Sequence, residues 1–171
     1  ERSSTEQLIE LFENDTQSFF KALSYIDNPK KRLNIAICCA KIKPKKVFHQ
    51  VGLFRLESKK DLIELAKATI ASKPKEALEN FSKLGISEQT LLKDIALFSA
   101  RLHPLLTAAH FEQFQLKDEP DRIEIALLCI KTPKPVIGYI KKFNIQDPKA
   151  ICQILKNRII FQSFIEESEI G

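Results

Sequence analysis

Glycine and long apolar segments are scarce in this sequence. The 171 residues contain only 4 glycines, which is too few for the many tight turns of an all-β protein. No apolar run approaches the roughly 18 residues of a membrane-spanning helix, and the chain does not open with a signal peptide. We therefore expect neither a β-rich fold nor a membrane span.

Methionine is also absent, and the first residue is Glu1. We therefore expect these residues to be a segment excised from a larger protein. A targeting signal of that larger protein would lie outside this sequence.

The abundant residues favour a helical globular protein. Hydrophobic residues make up 44% of the chain and charged residues 29%, a balance typical of folded proteins. Leucine, isoleucine, alanine, lysine and glutamate dominate, and these residues favour helices. The formal net charge of +5 permits an acidic partner but does not require one.

An internal repeat of about 30 residues is the strongest pattern in the chain. A shift by this period aligns three prolines, Pro44, Pro74 and Pro104. The same shift aligns four alanines, Ala36, Ala66, Ala96 and Ala126. The pattern divides the chain into about six repeats, which are 4–25, 26–55, 56–85, 86–115, 116–144 and 145–171.

Each repeat predicts a pair of helices. Residues that cap helix N-termini precede the first helix of a repeat, and they are Asn28, Ser58, Ser87, Asp118 and Asp147. The aligned proline ends that helix and opens a shorter one, because its ring cannot continue the preceding turn. One hairpin cannot bury its own apolar face, whereas stacked hairpins bury a shared one. We predict an all-α fold, a single domain over 1–171 built as a right-handed or superhelical α-solenoid.

The cysteines lack the spacing of a disulfide framework. They are Cys38, Cys39, Cys129 and Cys152, with no CxxC pair. Cys39 and Cys129 share an aligned position with Thr69 and Ser99, which predicts a packing role for a small side chain. Reduced thiols are typical of the cytoplasm, so we predict a reducing compartment.

No residue pattern predicts catalysis. The histidines, His49, His103 and His110, have no metal-ligand companions at helical spacing. Three carboxylates are aligned by the repeat, and they are Glu64, Asp94 and Glu124. On stacked helices they would lie about 8–10 Å apart. They fall in the first half of their helices, where the helix dipole favours negative charge. Phosphate-loop, dinucleotide, zinc-protease and nucleophile-elbow motifs are missing. We predict no catalytic, metal or cofactor site, and no enzymatic activity.

Basic residues gather at the predicted corners between helices. They are Lys41, Lys43, Lys45, Lys46, Lys73, Lys75, Arg101, Lys131 and Lys134. Stacking would align them as a basic ridge that could bind nucleic-acid phosphates or an acidic protein. The same cations could instead be solvated side chains that complement helix C-termini. The sequence leaves these interpretations open.

The last repeat lacks the corner proline and carries an apolar cluster. This cluster consists of Ile159, Ile160, Phe161 and Phe164. Further repeats would cover the cluster in a longer protein, whereas at a true chain end it is a candidate dimer contact.

The segment 74–106 resembles a repeat of the mitochondrial transcription termination factor family. The matching residues are Pro74, Leu84, Gly85, Ile86 and Pro104. Membership of that family would imply a helical superhelix that binds nucleic acid along a basic concave surface. In the sister repeats, Arg55, Gln115 and Asn144 replace Gly85.

A second resemblance covers residues 26–155. The segments "FRLESKKDLIELA" (54–66) and "FNIQDPKAICQIL" (143–155) are similar to degenerate helix-pair repeats in large proteins of intracellular bacteria, some of them secreted effectors. This resemblance implies a repeat scaffold within a larger protein and, for an effector, delivery into a host cytosol.

These patterns together predict a non-enzymatic helical-repeat scaffold that mediates protein–protein interaction. The alternative is a nucleic-acid-binding helical-repeat domain that uses the basic ridge. A basic concave surface would favour nucleic acid, whereas a basic edge beside an exposed apolar groove would favour a protein partner.

Overall fold

The computed structural model describes residues 3–131 and 136–156. Helices are the regular elements throughout these residues, and no strand occurs among them. The predicted all-α class is therefore confirmed. The chain forms two compact units, Glu1–Ile86 and Ser87–Gly171, which are called the N-terminal half and the C-terminal half.

The N-terminal half is built from short helices joined by tight corners. Its α-helices are α1 (Ser4–Asn14), α2 (Thr16–Leu23), α3 (Pro29–Ala40), α4 (Pro44–His49), α5 (Lys59–Ser72) and α6 (Pro74–Glu79). A 3₁₀ helix follows α4 at Val51–Phe54, and another follows α6 at Phe81–Leu84. Helix α3 packs on α4 and on α5, and α5 packs on α6.

Side-chain caps define where the longer helices of this half begin. Ser3 and Glu6 form a reciprocal capping box at α1. The Asn28 side chain accepts hydrogen bonds from two backbone N–H groups in the first turn of α3, and Ser58 accepts one in the first turn of α5. Each cap satisfies N–H groups that have no partner within the helix. The predicted caps at Asn28 and Ser58 are confirmed.

Proline begins each short second helix. Helices α4 and α6 start at Pro44 and Pro74, and neither has a side-chain cap. Proline fits the first helical position because the backbone N–H that it lacks would have no partner within the helix. After the 3₁₀ turns, the chain reverses at Arg55 and Gly85, whose φ values are 49° and 71°. A left-handed residue commonly ends a helix, and glycine adopts this conformation at the lowest cost.

The core of the N-terminal half combines phenylalanine rings with small side chains. Phe12, Phe19 and Phe54 are buried. The Phe12 and Phe19 ring centroids lie 4.9 Å apart in an edge-to-face arrangement, which aromatic rings prefer. The aligned alanines Ala36 and Ala66 are also fully buried, so α3 and α5 can approach each other closely.

The C-terminal half has the same kinds of element. They are α7 (Gln89–Leu102), α8 (Pro104–Ala109), α9 (Glu119–Cys129) and the 3₁₀ helices Phe111–Phe114 and Val136–Phe143. Residues 148–156 are also helical. Helix α7 packs on α8 and α9, and α8 packs on Val136–Phe143. Gln115 and Asn144 have φ values of 51° and 48°, in the left-handed region.

The start of α7 differs from the prediction. The N-cap of α7 is Glu88 and not Ser87, and it makes no side-chain capping hydrogen bond. The next residue, Gln89, is tied to the loop before α9. Its side chain donates to the Gln115 carbonyl at 3.3 Å and accepts from the Lys117 backbone N–H at 2.9 Å. This loop contact holds the helix start one residue later than the local capping signal indicates.

Two further capping predictions fall in the C-terminal half. Asp118 is the N-cap of α9, as predicted, although its side chain makes no capping hydrogen bond. The Asp147 side chain accepts a hydrogen bond from the Lys149 backbone N–H at 3.0 Å, at the start of the helical stretch 148–156. Both positions are therefore confirmed as helix starts.

A polar contact between two hydroxyl groups is buried in the core of the C-terminal half. The hydroxyl oxygens of Ser99 and Thr107 lie 2.6 Å apart, and both residues are fully buried. Nearby in this half, the Phe111 and Phe143 ring centroids are 4.3 Å apart. A buried hydroxyl is tolerated when it is hydrogen-bonded, so the contact between this pair joins α7 to α8 and offsets the cost of removing both hydroxyls from water.

Candidate functional site

Two helix corners of the N-terminal half present exposed lysines. Helix α3 packs on α5, and α4 packs on α6, so the α3–α4 corner and the α5–α6 corner are neighbours. Five lysines at these corners are exposed, and they are Lys41, Lys43, Lys45, Lys73 and Lys75. Among the described residues, none of these five side chains has a hydrogen-bond or ion-pair partner. We call this group the basic corner.

Lys46 differs from the lysines beside it. Its side chain is half-buried, and its Nζ donates a hydrogen bond to the Phe12 carbonyl oxygen at 2.5 Å. The same nitrogen lies 4.5 Å from the centroid of the Phe12 ring. Lys46 therefore holds α4 against α1, and a ligand would have to compete with these contacts.

The remaining predicted cations belong to the C-terminal half. Arg101 is exposed near the end of α7, and Lys131 is exposed after α9. Lys134 lies outside the described residues, as does the predicted apolar cluster Ile159, Ile160, Phe161 and Phe164.

Exposed aliphatic side chains lie at the same helix corners. Ile42 is 39% exposed, Leu102 is 50% exposed and Leu105 is 36% exposed. Ile42 stands between Lys41 and Lys43 in the chain, and Leu102 follows Arg101. These exposed aliphatic residues were not among the residues predicted from the sequence. The available signal was the position of Ile42 between Lys41 and Lys43 and of Leu102 directly after Arg101, at the corner that follows a long helix.

The thiols of the repeat are packing groups. Cys39 and Cys129 are fully buried, which confirms their predicted packing role. Burial raises the pKa of the Cys39 thiol to about 12 and that of the Cys129 thiol to about 12. A nucleophilic cysteine needs a lowered pKa and solvent access, so neither thiol is suited to attack a substrate.

The aligned carboxylates lie on the surface. Glu64, Asp94 and Glu124 are exposed, and Glu124 pairs with Lys93 at 2.8 Å. Lys93 also pairs with Asp121 at 3.0 Å, and the hydrogen bonds that Lys93 donates to Glu124 and Asp121 raise the pKa of this lysine. The Glu124 side chain thus takes part in an ion-pair network between α7 and α9.

The described residues also bear on metal sites and membrane spans. Within 3–131 and 136–156, no group of three or more histidine, cysteine, aspartate and glutamate side chains is arranged to hold a metal ion. None of the helices in these ranges is both long enough and apolar enough to cross a bilayer.

Comparisons with protein-family models, with curated proteins and with solved structures give no match for this chain. The two family resemblances in the sequence therefore stay predictions.

Proposed function

We propose that this chain is a non-enzymatic α-solenoid of helical hairpins that serves as a protein-binding scaffold. The repeat architecture is supported by residues that perform the same local task one or more periods apart. Arg55, Gly85, Gln115 and Asn144 all adopt left-handed φ values, and each is the last residue of a repeat. Pro44, Pro74 and Pro104 each open a short helix.

An arginine pair three repeats apart gives independent support for the period. The Arg32 guanidinium donates to the Ile26 carbonyl at 2.8 Å, and the Arg122 guanidinium donates to the Leu116 carbonyl at 3.2 Å. Both arginines and both carbonyls occupy equivalent repeat positions. The same contact between an arginine side chain and a backbone carbonyl thus occurs once in each half of the chain.

The observation that carries the protein-binding function is the exposed aliphatic residue at the helix corners. Ile42 and Leu102 occupy the same repeat position, are 39% and 50% exposed, and are each adjacent to cations. An apolar side chain held on a rigid corner loses water when a partner covers it, which favours binding. The flanking cations add charge complementarity, which selects the partner and its orientation.

The basic corner supports a second candidate, a nucleic-acid-binding solenoid. Five exposed lysines on neighbouring corners could neutralise successive phosphates and release their counterions. Base stacking has less support, because the chain has no tryptophan and only 2 tyrosines. We therefore rank this candidate second.

A peptide-display selection against the full chain tests the protein-binding function. We expect binders whose affinity falls by about tenfold when Ile42→Ser or Leu102→Ser removes the exposed aliphatic contact. Leu53→Ser is the matched control, because Leu53 is 55% exposed but lies in a 3₁₀ helix away from the corners. A selection whose binders are all insensitive to both corner variants would contradict the proposal.

Fluorescence anisotropy with single-stranded RNA, single-stranded DNA and duplex DNA decides the second candidate. Lys43→Glu/Lys45→Glu is compared with Lys30→Glu/Lys31→Glu, which makes the same charge change at exposed positions in the first turn of α3. Binding that survives physiological salt and is lost only in the corner variant would favour nucleic acid. Equal loss in both variants is the behaviour of any cationic protein.

Deletion of one repeat tests the solenoid. Removal of 56–85 should leave a cooperatively unfolding helical protein, because each repeat of a solenoid contacts its neighbours only. Removal of 56–80 is the control, since it breaks the period. Circular dichroism during thermal unfolding distinguishes the two, and loss of cooperative folding in both would contradict the repeat architecture.

A further inference from the structure

A cleft of about 460 Å³ opens on the surface of the N-terminal half. It is bounded by one face of α1 and by the corner between α3 and α4. Its lining residues are Glu6, Ile9, Glu10, Glu13, Asn14 and Ile42. The cleft therefore has an exposed corner residue, Ile42, at one side.

The α1 wall of the cleft has a regular pattern. Glu6 is three residues before Ile9 and four before Glu10, and Glu13 follows them by four and three, so all four lie on one broad face of the helix with the residues at these spacings about 5–6 Å apart. Ile9 is half-buried, whereas the three glutamates are exposed. The result is an apolar floor, formed by Ile9 and Ile42, with a row of carboxylates beside it.

The carboxylates of this row have different contacts within the protein. The Glu6 carboxylate accepts a hydrogen bond from the Ser3 backbone N–H at 3.0 Å, which fixes the first glutamate of the row. Glu13 has no ion pair with any residue that the structure describes. The nearby cation of Lys46 donates its hydrogen bond to the Phe12 carbonyl and is not paired with a cleft glutamate.

The charged residues that line the cleft are all glutamates, and the cations lie beside it in the chain. The α1 end is negative, and Ile42 at the corner is flanked in the chain by Lys41 and Lys43. A complementary ligand would place cations along α1 and an apolar group over Ile42. A polyanion fits the basic corner and is repelled by the glutamates, so the cleft and the basic corner favour different ligands.

The geometry points to this cleft as a docking site for a partner protein segment in which two cationic side chains precede an aliphatic side chain by about one helical turn. Lysine and arginine suit the cationic positions, because their carbon stems can cover Ile9 while their heads reach the carboxylates. The inference rests on the proposed protein-binding function, since it names the chemistry of one partner.

A labelled alanine-based helical peptide serves as the probe. It carries two lysines one turn apart and a leucine one turn further on. One control peptide places the leucine on the opposite helix face, and a second replaces both lysines with glutamate. We expect the probe to bind the full chain more tightly than either control by about fivefold or more at low salt, and the preference to shrink as salt screens the charges.

Variants of the cleft locate the binding. Glu13→Lys and Ile42→Ser should each weaken the probe by about fivefold. Glu79→Lys makes the same charge change at an exposed position of α6 and should leave the affinity within about twofold of wild type. A Glu10→Lys/Glu13→Lys chain should reverse the preference and bind the glutamate peptide better than the lysine probe.

Four results would overturn the inference. Equal weakening by Glu13→Lys and Glu79→Lys would show attraction to the overall charge and not to the cleft. A concentration-dependent dimer in sedimentation that is abolished by Glu13→Lys would identify a second copy as the occupant. The probe could fail to bind while display-selected peptides still depend on Ile42 or Leu102. That result would contradict the inferred cleft ligand but not the proposed protein-binding function. If neither the probe nor any display-selected peptide binds, the inferred cleft ligand and the proposed protein-binding function are both contradicted.

Discussion

Lys46 reaches from α4 to the end of α1, where its Nζ donates a hydrogen bond to the Phe12 carbonyl oxygen at 2.5 Å and lies 4.5 Å from the Phe12 ring centroid. Phe12 is fully buried, so this cation bonds at the edge of the aromatic core. Its neighbour Lys45 is exposed. Two adjacent lysines of one predicted ridge therefore have different roles.

Lys46→Ala should lower the free energy of unfolding by about 1–2 kcal/mol, because it removes a charge-assisted hydrogen bond and a cation–π contact. Lys45→Ala is the matched control and should change it by less than about 0.5 kcal/mol. Urea denaturation followed by circular dichroism measures both. Equal stability of the two variants would show that the Phe12 contacts contribute nothing.

Gly85→Ala should destabilise the protein by about 1 kcal/mol, because Gly85 has a φ of 71° and a side chain is disfavoured in the left-handed region. Apart from its chain neighbours, no atom lies within 4 Å of a Cβ added there, so the cost comes from the local backbone and not from contacts with surrounding residues. Gly52→Ala is the control, since that site is equally open but has no positive φ. Its unfolding midpoint should stay the same or rise.

Ser99 and Thr107 should behave as a coupled pair. Either Ser99→Ala or Thr107→Val leaves one buried hydroxyl without its partner and should cost about 1–3 kcal/mol. The double variant removes both polar groups and should be less destabilised than the sum of the single variants. A double-mutant cycle from urea denaturation measures the coupling, and strict additivity would contradict the contact between the two hydroxyls.

The buried thiols should make stability fall at high pH. In the folded protein, burial raises the pKa of Cys39 to about 12 from its ordinary value of 9.0. Between these values the unfolded chain loses the proton and the folded chain keeps it. The free energy of unfolding should therefore fall as pH rises above about 9, by up to about 1.4 kcal/mol per pH unit for this thiol.

Urea denaturation at about pH 8 and pH 10 measures this loss in the wild type and in Cys39→Ala. Lysine titration affects both chains alike, so the difference between their pH slopes isolates the thiol. A slope that is unchanged in Cys39→Ala would contradict the raised pKa. Thiol labelling of the native protein gives a separate check, because the exposed Cys152 should react before the buried Cys39.

The site could be predicted only in part from the sequence. The repeat placed cations at helix corners, and Lys41, Lys43 and Lys45 are exposed there. The sequence could not distinguish Lys45 from Lys46, because adjacent residues on a helix point about 100° apart and only the position of α1 decides which one is covered. The aliphatic corner residue Ile42 and the glutamate face of α1 were missed, since their proximity depends on how α1 packs on α3.

Sequence by itself determined the helical class and the residues at which several helices begin. Asn28 and Ser58 cap their helices, and Pro44 and Pro74 open the short ones, because capping and ring geometry act within a few residues. Tertiary structure alone decided the start of α7 at Gln89, the inward turn of Lys46 and the cleft beside Ile42. These features depend on contacts between segments far apart in the chain, which no local pattern specifies.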